Sequence, residues 1–174
     1  MKFAYTVAVD APAARAWAVL ADIPLVAQCL PGVSGVTAAG PGVYRGTMRV
    51  KVGPVALTLA GQVREEERDE ANTRARLRAE AADRRVGGSV RALLLLAVRP
   101  LGPATSEVQI EAEAQLLGKL GEFGQPVIRA KADQLFREFS HALGQQLAHA
   151  GPRSGPAPAP AAEPLPPAPP PGDS

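Results

Sequence analysis

The stretch TRARLRAEAADR (Thr73–Arg84), then SVRALLLLAVR (Ser89–Arg99), then TSEVQIEAEAQLL (Thr105–Leu117) decides the fold. In its first segment Ala75, Leu77, Ala79 and Ala81 alternate with Arg74, Arg76, Arg78 and Glu80; in its last, Val108, Ile110, Ala112 and Ala114 alternate with Glu107, Gln109, Glu111 and Glu113. A period of two, with small apolar residues on one side and charges on the other, is the pattern of a strand with one wet face. The separators, Gly87-Gly88 and Leu101-Gly102-Pro103, are short enough for hairpins, so the strands are expected to be adjacent and antiparallel. In the middle segment Val90, Ala92, Leu94, Leu96 and Val98 continue the covered face. That leaves Leu93 and Leu95 on the outer face between Arg91 and Arg99, a candidate contact patch for a partner protein.

Upstream, Val33–Ala38, Val43–Val52 and Val55–Glu67 read as three further strands, separated by Gly40-Pro41-Gly42 and Gly53-Pro54 and followed by the charged run Arg68–Asn72. Lys2–Val9 is the first strand, with Phe3, Tyr5, Val7 and Val9 on one face. Asp10 is expected to cap a short helix over Ala13–Leu20, and Asp22-Ile23-Pro24 opens a second, Leu25–Leu30, stopped by Pro31-Gly32. Downstream, Gly118–His149 carries Phe123, Val127, Ile128, Leu135, Phe136, Phe139, Leu143 and Leu147 largely on one helical stripe, with Pro126 suited to a first turn. This long helix is the cover for the sheet. The predicted fold is α+β, with two short helices after the first strand, about seven antiparallel strands and a long C-terminal helix. Residues 1–150 form the domain. Residues 151–174 hold ten of the 18 prolines and almost no large apolar residues, so a disordered tail is expected there.

Composition narrows the function. One cysteine in 174 residues excludes an internal disulfide and a multi-cysteine zinc site, and cytoplasm is the default compartment. The N-terminal residues lack the apolar run of a signal peptide, and the longest apolar run, Ala92–Val98, falls far short of the ~20 residues of a spanning helix. Net charge is +2. The basic cluster Arg74, Arg76, Arg78, Arg84, Arg85 and Arg91 has no interleaved aromatics, so it reads as a solvated sheet face and no nucleic-acid partner is expected. His141 and His149 lie eight residues apart without a partner at ligand spacing, and Cys29 reads as a buried structural thiol. No phosphate-cradling, nucleophile-elbow or metalloprotease motif occurs.

Several local motifs are more specific. Trp17, Leu30-Pro31-Gly32-Val33, Tyr44-Arg45-Gly46, Val50-Lys51-Val52-Gly53-Pro54-Val55 and Gly118-Lys119-Leu120-Gly121-Glu122-Phe123-Gly124 together resemble the carbon monoxide dehydrogenase G-subunit family, over about residues 1–148. The order of elements is similar to the helix-grip fold of the START and Bet v 1-like (SRPBCC) superfamily, in which a curved antiparallel sheet wraps a long helix. The resemblance implies a non-enzymatic accessory protein of a molybdenum hydroxylase-type dehydrogenase, with no covalent cofactor. It further implies binding of a lipophilic isoprenoid quinone, such as menaquinone, and peripheral contact with the inner face of the cell membrane. Relatives often continue past a comparable tail to a membrane-associating segment, whereas this sequence ends at Pro169-Pro170-Pro171-Gly172-Asp173-Ser174.

The inward face is poor in bulk, with Ala75, Ala79, Ala81, Ala92, Ala112 and Ala114 on it. Small residues under a curved sheet either admit the helix closely or leave a ligand cavity. The residues expected around such a cavity are Met48, Val50, Leu57, Leu59, Leu77, Leu94, Leu96, Ile110, Phe123, Val127 and Phe136; plain core is the alternative for each. A cyclase- or aromatase-like enzyme would draw its acid or base from Tyr44, Arg45 or Glu122. A pure adaptor would use Leu93, Leu95 and the proline-rich tail.

Overall fold

The computed structural model describes residues 1–149. Their order is β1 (Lys2–Val9), α1 (Ala13–Leu20), α2 (Ile23–Ala27), β2 (Val33–Gly40), β3 (Val43–Val52), β4 (Val55–Asp69), β5 (Arg74–Asp83), β6 (Gly88–Pro100), β7 (Ser106–Gly118), a short 3-10 helix (Lys119–Phe123) and α3 (Gln125–His149). All seven strands form one curved antiparallel sheet in the order β1-β7-β6-β5-β4-β3-β2. Every neighbour but one is a sequence hairpin. The exception, β1 against β7 from Lys2 opposite Glu113 to Val9 opposite Ser106, joins the two ends of the strand series. This is the α+β helix-grip architecture expected from the alternation. The tail expected over residues 151–174 lies outside the described residues.

Two local expectations, the cap of α1 and the bounds of α2, are corrected. Asp10 does not cap α1: Pro12 is the capping residue, at φ −58 and ψ 150, and no side chain caps the helix. The Pro12 carbonyl accepts from the backbone N–H groups of Arg15 and Ala16, both at 3.0 Å. Its extended ψ places it just outside the helix and leaves Asp10 two residues too early. The second helix starts earlier and ends at Ala27, with Asp22 capping it through the backbone N–H of Leu25 at 3.2 Å. Residues 28–30 continue as turns. The final segment is two helices, because the chain breaks at Gly124 before α3 begins with Pro126 in its first turn.

Two glycines explain how the sheet and its helices close together. At Gly32, φ is +81 and a Cβ would stand 2.1 Å from the Arg49 carbonyl oxygen, so the Pro31-Gly32 turn can lie directly on β3. At Gly61 a Cβ would stand 1.9 Å from the Glu80 carbonyl oxygen, so β4 passes β5 there with no room for a side chain. The helical pair is tied to the β4–β5 loop: Trp17 Nε1 donates to Glu70 Oε2 at 2.6 Å, and Arg68 donates to the Ala21 carbonyl at 2.7 Å.

Candidate functional site

The covered face divides into three apolar clusters. One joins α1 and the C-terminal half of α3, through Trp17, Leu20, Phe139, Leu143 and Leu147, to Val9, Val98 and Val108. A second, at the other end of α3, holds Val52, Leu57, Leu59 and Leu120 with Val50, Val90, Leu116, Phe123 and Ile128 against them. The third packs Ile23, Leu77 and Leu96 with Tyr44, Val63, Leu94 and Ile110.

The strand register shows what runs between them. Tyr44, Val63, Ala79, Ala92 and Ala114 stand opposite one another across β3, β4, β5, β6 and β7. Five strands at ~4.8 Å spacing make this row about 19 Å long, crossing the sheet at right angles to the strands. One neighbouring row, Gly61-Ala81-Val90-Leu116, borders the second cluster; the other, Leu77-Leu94-Ala112-Phe3, borders the third. Ile128 of α3 packs in the second cluster and Phe136 in the first, so the helix crosses this row between them, over about 12 Å at ~1.5 Å per residue. Tyr44, Val63, Ala79, Ala92 and Ala114 nevertheless all remain half-buried. With three alanines in it, this half-buried apolar row is a candidate trough on the covered face.

The row ends at β7, beside the surface. Since β1 begins opposite Glu113, residues 114–118 of β7 run past its end, with the Met1 amino group donating to the Ala114 carbonyl at 2.7 Å. Beyond it lies an open depression of about 500 Å³ lined by Ala114, Leu116, Leu117, Leu120, Gly121 and Ile128, among others. Leu117 is 45% exposed at this mouth, and Val127, the neighbour of Ile128, is 42% exposed. At the far end stands Tyr44, whose hydroxyl has no hydrogen-bond partner among the described residues. Three other depressions, of about 620, 430 and 390 Å³, lie on the outer face of the sheet.

The residues expected around a cavity are therefore distributed. Leu57, Leu59, Val50 and Phe123 share the second cluster, and Leu77, Leu94, Leu96 and Ile110 share the third. Met48 is half-buried opposite Leu59. Phe136 packs in the first cluster, its ring 4.4 Å from that of Tyr5. Val127 is exposed on α3 and is not brought to the row. The row Tyr44-Val63-Ala79-Ala92-Ala114 is not apparent as a unit in the sequence, because it needs the register of five strands. Its signal there is the excess of inward alanines.

Titratable groups near the trough hold the frame. Tyr5 donates to Asp133 Oδ1 at 2.8 Å, and burial, followed by that carboxylate, pushes the Tyr5 hydroxyl up to about 12, so it stays protonated. Arg129 sits 5.3 Å from the centre of the Phe3 ring. Cys29 is buried and its thiol is raised by desolvation, which keeps it unreactive. Of the three residues an enzyme would draw on, Tyr44 alone faces the trough. Arg45 pairs with Gln62 on the outer face, and Glu122 is exposed, 3.5 Å from Lys119 Nζ. Among the described residues no three His, Cys, Asp or Glu side chains converge as a metal site, and no helix is long and apolar enough to cross a membrane.

Known proteins share this arrangement. The family model for the carbon monoxide dehydrogenase G-subunit, CoxG, matches residues 6–148. A conserved protein from Geobacillus kaustophilus superposes with a TM-score of 0.79 at 15% identity, covering 86% of this chain and 97% of its own. A START superfamily protein from Mycobacterium smegmatis gives 0.62 at 14%, covering 85% and 97%. The Zhui aromatase/cyclase from Streptomyces sp. R1128 gives 0.62 at 16%, covering 86% and 94%. At these identities the likeness shows the fold. No curated protein matches the chain.

Proposed function

The chain belongs to the carbon monoxide dehydrogenase CoxG family, and from that premise we propose that it is a non-catalytic carrier of a lipophilic quinone serving a molybdenum-containing dehydrogenase. The observation that carries this reading is the half-buried, alanine-rich apolar row that crosses five strands and ends beside an open depression at β7. An isoprenoid tail is long, thin and apolar. It gains by leaving water in proportion to the area it buries, about 25 cal/mol per Å², and needs no catalytic group. Tyr44 supplies a hydroxyl at the β3 end of the row for a quinone carbonyl. The apolar lip of Leu117 and Val127, with Lys119 and Arg129 close in sequence, suits transient contact with an anionic bilayer where the ligand is exchanged. Leu57, Leu59, Leu77 and Leu96 act as walls and core rather than as ligand-selective contacts.

Mass spectrometry of an organic extract, from protein purified without detergent out of a quinone-producing host, tests the reading. A stoichiometric isoprenoid quinone is expected. Ala92→Phe, which fills the trough, should abolish it, while Ala82→Phe on the outer face of the neighbouring strand should not. Empty wild-type protein that also fails to take up quinones offered in solution would overturn the carrier reading.

A second reading rests on Tyr44, an unpartnered hydroxyl inside the trough of a fold that the Streptomyces aromatase/cyclase shares. A cyclase needs a proton acceptor beside such a donor. Turnover of a polyketide-like substrate, lost in Tyr44→Phe, would favour it over the carrier.

A further inference from the structure

We propose that the outer face of the sheet joins two copies of this chain, along a two-fold axis parallel to β6. Three adjacent strands carry different chemistry on that face. The register places Arg78, Leu93 and Glu113 in one line across β5, β6 and β7, and Arg76, Leu95 and Glu111 in the next. The result is a basic stripe, an apolar spine and an acidic stripe, side by side. Arg76, Arg78, Glu111 and Glu113 are exposed, and Leu95 is 41% exposed. Arg78 also contacts Glu66 through its Nε, yet its side chain keeps 54% of its surface open. Depressions of about 430 and 390 Å³ flank Leu95, the first beside Arg74 and Arg76, the second beside Glu111 and Glu113.

This stripe order is self-complementary under one rotation. Turning a second copy by 180° about an axis over β6 and parallel to it exchanges the two sides. The basic stripe of each copy then faces the acidic stripe of the other, and Leu93 and Leu95 of both copies meet on the axis. A two-fold axis across the strands would set Arg76 and Arg78 against arginines and Glu111 and Glu113 against glutamates, whereas the axis along β6 brings Arg91 near its own copy, so charge favours the first arrangement. Sheets pack face to face about 10 Å apart, which extended Arg and Glu side chains can span together. An isologous contact of this kind uses the patch once on each copy and closes as a dimer. The spine is only two leucines per copy, so self-association is expected to depend on concentration and to weaken with salt.

Sedimentation velocity of the full chain tests it. The wild type should shift from monomer to dimer with rising concentration at low ionic strength. R76E/R78E and E111R/E113R should each be monomeric, and their equimolar mixture should regain the dimer, which also shows that both variants are folded. A wild type that stays monomeric throughout, single variants that still dimerise, or a mixture that stays monomeric would each overturn the proposal. So would variants that lose binding to a dehydrogenase while the wild type alone is a monomer.

Discussion

Asp83 is buried where β5 ends, and its carboxylate accepts from three backbone N–H groups: Thr58 at 2.8 Å, Arg85 at 2.9 Å and Val86 at 3.0 Å. It closes the β5–β6 turn and receives the donor of β4 that no longer faces β5 beyond Ala60 and Ala82. These N–H groups, that of Thr58 foremost, hold the carboxyl below its ordinary value. Because its folded value is lowered, its contribution to stability is fully present above the unfolded value near 3.9 and is lost as pH falls through the folded one. Thermal unfolding followed from pH 6 to pH 2 should show a steep acid limb in the wild type and a flatter one in Asp83→Asn, which is less stable at neutral pH. Nothing in the sequence distinguishes Asp83 from a strand-end charge except its place before a Gly-Gly turn. Tyr44 is legible as an inward candidate, and its test is specific. Losing one hydrogen bond of about 0.5–1.5 kcal/mol should weaken retention of a quinone about twofold to tenfold in Tyr44→Phe, and leave retention of a hydrocarbon of equal length unchanged, read by equilibrium partitioning.

At the scale of elements, the strands and the bounds of α1 are legible, whereas the cap of α1 and the bounds of α2 are not. Alternation fixes a strand's faces wherever one side is wet, so the expected and observed bounds of β1 and β3 coincide and those of β4–β7 differ by at most a few residues. The expected Asp10 cap fails because Pro12 is extended and supplies the first acceptor itself. The long helix begins at Gln125 with Pro126 in its first turn, as expected, and the apolar stripe runs on upstream through a 3-10 turn across Gly124. Within α3, two positions separate anchoring from surface. Leu143 is fully buried between α1 and the sheet, so Leu143→Ala should cost about 2–5 kcal/mol in urea unfolding, whereas Ala130→Ser on the exposed side should stay within about 0.5 kcal/mol.

Across the whole molecule, the fold follows from the order of its elements, but the trough does not. Each of its alanines is visible as an inward residue. Their alignment with Tyr44 and Val63 depends on pairings between strands up to 70 residues apart, from Tyr44 on β3 to Ala114 on β7, which no single segment encodes. The β7 end of the row likewise depends on distant pairing, since Lys2 stands opposite Glu113 and Met1 exchanges backbone hydrogen bonds with Ala114. The two faces differ in chemistry: the covered face is apolar, and the outer face carries charge ordered by strand.

Trp17 is the one indole in the chain, buried to 6% exposure and held by Glu70, so all tryptophan fluorescence originates where the helical pair meets the β4–β5 loop. That position belongs to the first cluster, and the alanine row does not touch it. The protein thereby carries its own optical probe of the clasp between α1 and the sheet. Emission colour tracks whether that clasp is shut.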